Sequence, residues 1–295
     1  MATLGPITCV TIASTDLPSI ISTYQRYLGY QVVDEGSIPA ALAETWARPG
    51  MKGRHYALLR PEGRGITAIR FVESRAPADY VPFRHMGWNA AELMVQDTDA
   101  AAARLADSPF KIIGPPADLS FSDKIRAMQV LGPAQESLYL TSFKQKLPEF
   151  DTPDPHAFID RVFIVIVGGP TAATLNHYYT THFGAAKAPV IPGVISVISQ
   201  AHGLPPSTPH ELAAIALRGQ SYIEADTMPA GTRPRESLPG ELPPAVSMVG
   251  FDVATLPSTV AYLSPARAIE IAPYGGRRVA VCVGAGGEWI ELTEA

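Results

Sequence analysis

The chain is poor in cysteine: Cys9 and Cys282 are too few for a disulfide framework and fit a reducing compartment. It is poor in positive charge as well. Lysine and arginine number 23 against 28 acidic residues, a net charge of −5 with no basic run, which argues against nucleic acid as the main partner. Long hydrophobic runs are missing. The longest, such as Val162 to Val167, fall far short of the roughly 18 residues that span a bilayer. The opening Met1-Ala2-Thr3-Leu4-Gly5-Pro6 has no basic segment leading into an apolar one, so a secretory signal is not expected. With 46% hydrophobic and 17% charged residues, the composition is that of a globular protein, not a disordered one. The expectation is a cytoplasmic protein with no nucleic-acid and no membrane partner.

What is present is a repeat. Four times a short apolar strand leads into a helix or turn and then into strands ending in an apolar–X–apolar tail, over residues 7–75, 85–143, 158–229 and 243–295. Module one sets the plan. Its first strand, Ile7 to Ile12, is followed by the capping side chains Ser14-Thr15-Asp16 ahead of Leu17-Pro18. Ile20, Ile21, Tyr24, Tyr27 and Leu28 recur at helical spacing, and Gly29 ends the helix as a left-handed cap. Gln31 to Val33, His55 to Leu59 and Ile66 to Val72 read as strands, with a hairpin loop at Arg60-Pro61-Glu62-Gly63-Arg64-Gly65. Module two has a strand to Val95, a helix to Leu105, and strands at Phe110–Ile113, Ile125–Val130 and Leu138–Leu140. In module four, Leu256 to Leu263 has room for only a brief helix.

Three prolines among charged residues between Lys144 and His156 mark the best boundary. The expected division is an N-terminal domain at 1–146, a linker at 147–157 and a C-terminal domain at 158–295. Equivalent strand positions recur at a near-constant offset between the halves, as a duplicated two-module domain requires.

The stretch Cys9 to Leu17, with Tyr24-Gln25-Arg26-Tyr27-Leu28-Gly29-Tyr30 after it, resembles the vicinal oxygen chelate superfamily. That group includes glyoxalase I, bleomycin-resistance proteins, fosfomycin-resistance enzymes and extradiol dioxygenases. The resemblance implies an α+β fold: four βαβββ modules forming two tandem domains with cup-shaped mixed sheets. It also implies where a metal would be held, by a His or Glu on each first strand and a Glu on each closing strand. Carried onto this chain, those positions are Cys9, Arg70, Ala90 and Tyr139, then Arg161, Glu224, Met248 and Glu291. A catalytic divalent metal normally needs three ligands drawn from His and carboxylate. The first half offers only the weakly suited Cys9 and Tyr139. The second offers two carboxylates and an arginine whose fixed charge repels a cation. Pairing module one with four, and two with three, rescues neither set. No metal and no cofactor are expected.

Organic side chains would then carry the work. Strand alternation turns Arg70 inward with Ala68 and Val72, where it needs an anion: Glu92 or another protein acid, or a substrate carboxylate or phenolate. Tyr139 faces the same way as Ser137 and Thr141, either as an oxyanion partner or as a core tyrosine with a satisfied hydroxyl. Arg161, Glu224 and Glu291 read either as a salt bridge in place of a metal or as a general base with an orienting arginine. The catalytic candidates are Arg70, Tyr139 and Glu291. The substrate-binding candidates are Cys9, His55, Tyr56, Trp88, Arg161 and Glu224. Trp46, Tyr56, Phe83 and Trp88 suit an aromatic-lined pocket and a packed core equally well. His177 and His182, five apart, do not share a helix face.

On this reading the chain is a metal-independent isomerase or lyase. It would act on a small carbonyl-bearing or aromatic compound by proton transfer with enolate stabilisation. The preferred site is the first half's cup, with Arg70 and Tyr139 together. The alternative is a protein that sequesters an aromatic or antibiotic-like ligand; a metal-dependent extradiol dioxygenase is disfavoured. A homodimer is compatible with either.

Overall fold

The four modules follow one another along a computed structural model that describes residues 4–63, 67–148 and 150–295. Module one holds β1 (Leu4–Ser14), α1 (Leu17–Thr23), β2 (Tyr30–Ser37), α2 (Ala40–Thr45), β3 (His55–Pro61) and β4 (Ala68–Glu73). Module two holds β5 (Gly87–Val95), α3 (Thr98–Leu105), β6 (Lys111–Leu119), β7 (Ser122–Leu131) and β8 (Ser137–Phe143). Module three holds β9 (Ile159–Gly169), α4 (Ala172–Phe183), β10 (Ile191–Val194), α5 (Ser196–Ala201), β11 (Pro209–Leu217) and β12 (Ser221–Thr227). Module four holds β13 (Val246–Val253), β14 (Arg267–Ala268), β15 (Arg278–Val283) and β16 (Trp289–Glu294).

Local chemistry sets the helix ends. The Asp16 carboxylate accepts from the Ser19 N–H at 3.1 Å, Asp97 from Ala100 at 3.0 Å and the Thr171 hydroxyl from Thr174 at 3.0 Å. Each such cap is worth about 1 kcal/mol. Helix α1 runs on as a π-turn over Tyr24–Leu28 and stops at Gly29, whose φ of 76° lies in the left-handed region that glycine takes without strain. Module four departs from the plan. Its expected brief helix is absent among the described residues, and Leu256 to Leu263 is a loop. Pro257 and Pro265 bracket a stretch too short to sustain a helical nucleus, and the Tyr262 hydroxyl donates back to the Pro257 carbonyl at 2.6 Å. Arg64 and Gly65 of the expected hairpin loop, and Ile66 of the expected strand, lie outside the described residues.

Strand pairing corrects one expectation. The first sheet runs β14-β15-β16-β13-β1-β4-β3-β2 and the second β10-β11-β12-β9-β5-β8-β7-β6. Each cup therefore joins module one to four or module two to three, not the two modules of one half. The seams are antiparallel pairs of first strands, Val10 opposite Val249 and Ala91 opposite Val165. All four first strands are apolar, so their composition does not say which pairs with which.

Alternation sends each sheet's residues to two destinations. Val10, Phe71, Phe251 and Ile290 from the first sheet meet Leu93, Leu140, Val165 and Ile223 from the second in one shared core, closed by Tyr24, Leu105, Leu175 and Phe183 of the helical segments. Complete burial of each aliphatic or aromatic side chain contributes about 1.5–3 kcal/mol. The other faces are concave and hold separate, smaller clusters.

Two equivalent hydrogen bonds tie the sheets together. The Tyr24 hydroxyl donates to Glu136 at 2.8 Å, and the Tyr179 hydroxyl donates to Glu288 at 2.8 Å. Both glutamates are buried, which raises their pKa to about 7. Among the described residues no helix is long and apolar enough to cross a membrane.

Candidate functional site

The cup of modules one and four is filled. Parallel register sets Thr11 on β1 beside Arg70 on β4, and β16 brings Glu291 to the same face. Trp46 enters from the end of α2 and Tyr274 from the loop after β14. Arg70 donates through Nη2 to both Glu291 oxygens at 3.2 Å, and through Nε and Nη2 to the Thr11 hydroxyl at 3.1 and 2.6 Å. It also donates to the Tyr274 hydroxyl, which in turn donates a hydrogen bond to Glu291 at 2.7 Å. The Trp46 indole N–H donates to Glu291 at 2.8 Å, and the guanidinium lies 4.9 Å from a Trp46 ring centre. Arg70 and Trp46 are 0% exposed, Glu291 and Tyr274 1%. Burial opposes the Arg70 charge, but Glu291, Tyr274 and Cys9 together hold its pKa above the ordinary value. Burial pushes the neighbouring Cys9 thiol up to about 11, which leaves it an inert thiol.

The cup of modules two and three is built from the same strand positions and has a different interior. Glu92 on β5 lies beside Tyr139 on β8 and Ile164 on β9; Glu224 on β12 lies beside Ile166, and Asp226 beside Gly168. Alternation points Glu92, Tyr139, Glu224 and Asp226 to the concave side, because Leu93, Leu140, Ile223 and Ala225 go to the shared core. Ile166, Leu212, Met228 and Tyr139 form the apolar lining, with Ile195, Val197 and Ile198 over it. The Tyr139 hydroxyl, the Ser137 hydroxyl and both Asp226 oxygens are buried without a hydrogen-bond partner. Glu92 and Tyr139 are each 6% exposed, and Glu224 is more open still. Solvent thus reaches the Glu224 edge of this floor, while the Tyr139 hydroxyl and the Asp226 oxygens are closed off from it.

The three carboxyls raise one another. Burial is the main cause in each case, and lifts Glu92 and Asp226 to about 8 and Glu224 well above the usual carboxylate range. Glu224 adds to the shift at Glu92, Asp226 to that at Glu224, and Glu92 to that at Asp226. The Tyr139 pKa is held high by burial first and then by all three acids.

The expected site residues divide between the cups. Arg70, Glu291 and Cys9 share the first; Tyr139 and Glu224 share the second. The preferred pairing of Arg70 with Tyr139 does not occur, since module one closes its cup with module four. Arg70 finds Glu291 and not Glu92 as its acid. Tyr56 packs in the first cup with its hydroxyl on Asp34 at 2.8 Å. His55 is exposed at the end of β3. Trp88 lies in the core between the sheets, its N–H on the Trp289 carbonyl at 2.7 Å. Arg161 sits at the start of β9 and donates to the Gly219 carbonyl at 3.2 Å, outside either cup. The β9 register explains that error: Ile164, three residues on, occupies the place on β9 that Cys9 occupies on β1. The sequence points to Glu92 only as an acid for Arg70, and it does not single out Trp46 as a Glu291 partner, Tyr274, or Asp226 as a cup residue. A two-residue step from Ala90 reaches Glu92, and one from Glu224 reaches Asp226.

Neither donor set suits a divalent cation. In the first cup the Arg70 guanidinium occupies the space between the ligand positions. In the second those positions are Ala90, Tyr139, Ile164 and Glu224, and among the described residues no group of three His, Cys, Asp or Glu converges to hold a metal ion. A shallow cleft of about 230 Å³ between modules one and two, bordered by Ser14, Asp16, Ser19 and Tyr80, lies outside both cups.

No protein-family model and no curated protein sequence matches this chain. Solved structures do. Glyoxalase I of Zea mays superposes with a TM-score of 0.65 at 13% identity, covering 98% of this chain and 92% of its own. A protein described as a putative dioxygenase from Bacillus subtilis superposes with a TM-score of 0.63 at 12% identity, covering 100% of this chain and 86% of its own. Two eight-stranded curled sheets from four modules, matched over nearly the whole length, give this chain the fold of the vicinal oxygen chelate superfamily.

Proposed function

We propose that the cup of modules two and three is the active site of a metal-independent enzyme, an isomerase or lyase that moves a proton beside a carbonyl group. The observation that carries this is the set of three mutually raised carboxyls facing a buried, unpartnered tyrosine hydroxyl, with Glu224 partly open to solvent. Interacting acids of this kind lose protons one at a time as a group. The first proton leaves as pH approaches about 8 while the neighbours stay protonated, so a base and an acid stand side by side.

Glu92 is the base in this reading. It is the acid next to Tyr139 in the ladder, and a pKa of about 8 makes its carboxylate unusually basic. It takes the proton from the carbon beside the carbonyl, and the electron pair moves onto oxygen. The Tyr139 O–H and protonated Glu224 stabilise that enolate oxygen. Return of the proton to the opposite face of the same carbon gives epimerisation. Loss of a leaving group from the β-carbon, with a proton supplied by Asp226, gives elimination.

The test is deuterium exchange. Small aldehydes, ketones and aryl ketones are incubated with protein in D₂O, and loss of the α-proton signal is followed by NMR. Exchange is expected to fall about 10²–10⁴-fold in Glu92→Gln. Equal exchange by the variant removes Glu92 from the mechanism. Saturable binding with no exchange across the whole panel leaves the sequestering protein as the function, a reading favoured by the Ile166, Leu212 and Met228 lining.

A further inference from the structure

We propose that the molecule taken up by the cup of modules two and three is an organic cation, a primary ammonium or amidinium set between Glu92 on one side and Glu224 with Asp226 on the other. The inference rests on that cup being the site and adds the charge of what enters it. Three carboxyl groups line one buried face, and among the described residues no lysine, arginine or histidine forms an ion pair with any of them. The other cup holds the counter-example within the same chain, an acid matched by its own arginine.

Hydrogen-bond counting points the same way. Three ionised carboxyls present six acceptor oxygens, and Tyr139, Ser137 and Thr141 supply one donor each. Both Asp226 oxygens and the three hydroxyls stand unpartnered. Once the carboxyls ionise, the deficit is in donors. An ammonium brings three N–H donors and an amidinium four, together with a positive charge that favours the ionised form of the carboxyls around it.

Spacing separates an organic cation from a metal ion. Glu92 and Glu224 are on strands with β9 between them and two residues out of register, about 12 Å apart at the backbone, and Asp226 is a further two residues, about 7 Å, along β12. A metal ion needs its oxygens within about 2.0–2.6 Å of one point. A ligand several atoms long can reach both walls. The other titratable groups on this face do not supply the missing charge: His210 on β11 is held by the Ser199 hydroxyl at 2.8 Å with its pKa lowered by burial, and the Tyr222 hydroxyl donates to the Asp151 carbonyl at 3.2 Å.

The experiment is calorimetry at pH 7 with phenethylamine and benzamidine as cations, 2-phenylethanol as the neutral isostere and phenylacetate as the anion. The cations are expected to bind at least tenfold more tightly than the other two. Binding should release protons, read as a dependence of the heat on the buffer's ionisation enthalpy, because the ammonium displaces a carboxyl proton. The double variant Glu224→Gln/Asp226→Asn should lose that preference. Binding of 2-phenylethanol or phenylacetate as tight as phenethylamine, cation binding without proton release, or no binding by any cation overturns the inference. Turnover is not needed for the readout. Cation binding with no deuterium exchange sinks the enzyme reading alone; exchange on neutral carbonyls with no cation preference sinks this one alone.

Discussion

The two cups are copies of one plan with opposite accounts of buried charge. In one, Arg70 and Glu291 are matched, and Thr11, Trp46 and Tyr274 take up their remaining hydrogen-bonding capacity. In the other, Glu92, Glu224 and Asp226 have only each other and hydroxyls. A folded chain gains nothing in stability from three unmatched buried acids, because each must either desolvate its charge or hold a proton. A satisfied network is a device for holding a sheet in shape, and an unsatisfied one is a device waiting for a partner. The comparison assigns structure to one cup and chemistry to the other.

The sharpest way to break that assignment is to disturb the matched cup. Glu291→Gln keeps an acceptor for only one of Trp46 and Tyr274, puts an NH2 donor in place of the other, and strands the Arg70 charge in a fully buried site. The expected loss is about 3–5 kcal/mol of unfolding free energy in a denaturant titration. Adding Arg70→Met to the same chain should recover much of it, since removing both charges removes the penalty of an unpaired one. A loss in Glu291→Gln of only a few tenths of a kcal/mol would mean that the network is not what holds this cup together.

A pH series distinguishes the cups next. Glu92, Asp226, Glu136 and Glu288 have folded pKa values of about 8, 8, 7 and 7, all above the carboxylate range of the unfolded chain. For an acid raised on folding, the folded state binds the proton more tightly. Its stabilising contribution is therefore full at low pH and is lost as pH rises through the folded value. Each displaced pKa unit is worth about 1.4 kcal/mol. Thermal unfolding is expected to move to lower temperature as pH rises from about 5 to about 8. Glu92→Gln should flatten the part of the slope near pH 8 and raise the melting temperature there, the signature of an acid kept for function at the expense of stability. An unchanged slope in that variant would return Glu92 to the status of an ordinary core residue.

How much of this could be read beforehand depends on the range of the interaction. The Asp16 cap, the Gly29 stop and the alternation that turns Arg70 inward are local, and the sequence contains them. The pairing of β1 with β13 is not local, and four interchangeable apolar first strands conceal it. Arg70 and Tyr139 were therefore assigned to one cup when they belong to two. The Arg161 error has a different source: β9 is eleven residues long, and a shift of three along it carries the position out of the cup. Glu92 is legible as an inward acid but not as a neighbour of Glu224 and Asp226, because a buried acid's meaning depends on which strands surround it.

The smallest expected effect is also the most discriminating. Tyr24 and Tyr139 are both buried tyrosines, one in the shared core between the sheets and one in the second cup. The Tyr24 hydroxyl is bonded to Glu136 at 2.8 Å, while the Tyr139 hydroxyl has no partner. Tyr24→Phe removes a hydrogen bond and leaves a buried carboxyl with one fewer donor, which should cost about 1–3 kcal/mol. Tyr139→Phe removes only an unsatisfied group and should leave the unfolding free energy within about 0.5 kcal/mol of the parent, or raise it. If the cup is catalytic, that same near-silent change slows α-proton exchange about 10²–10³-fold, because the enolate loses a donor. A tyrosine that matters to the reaction and not to the fold marks a site. A Tyr139→Phe chain that loses as much stability as Tyr24→Phe would place a hidden structural partner on that hydroxyl and remove the main asymmetry between the cups.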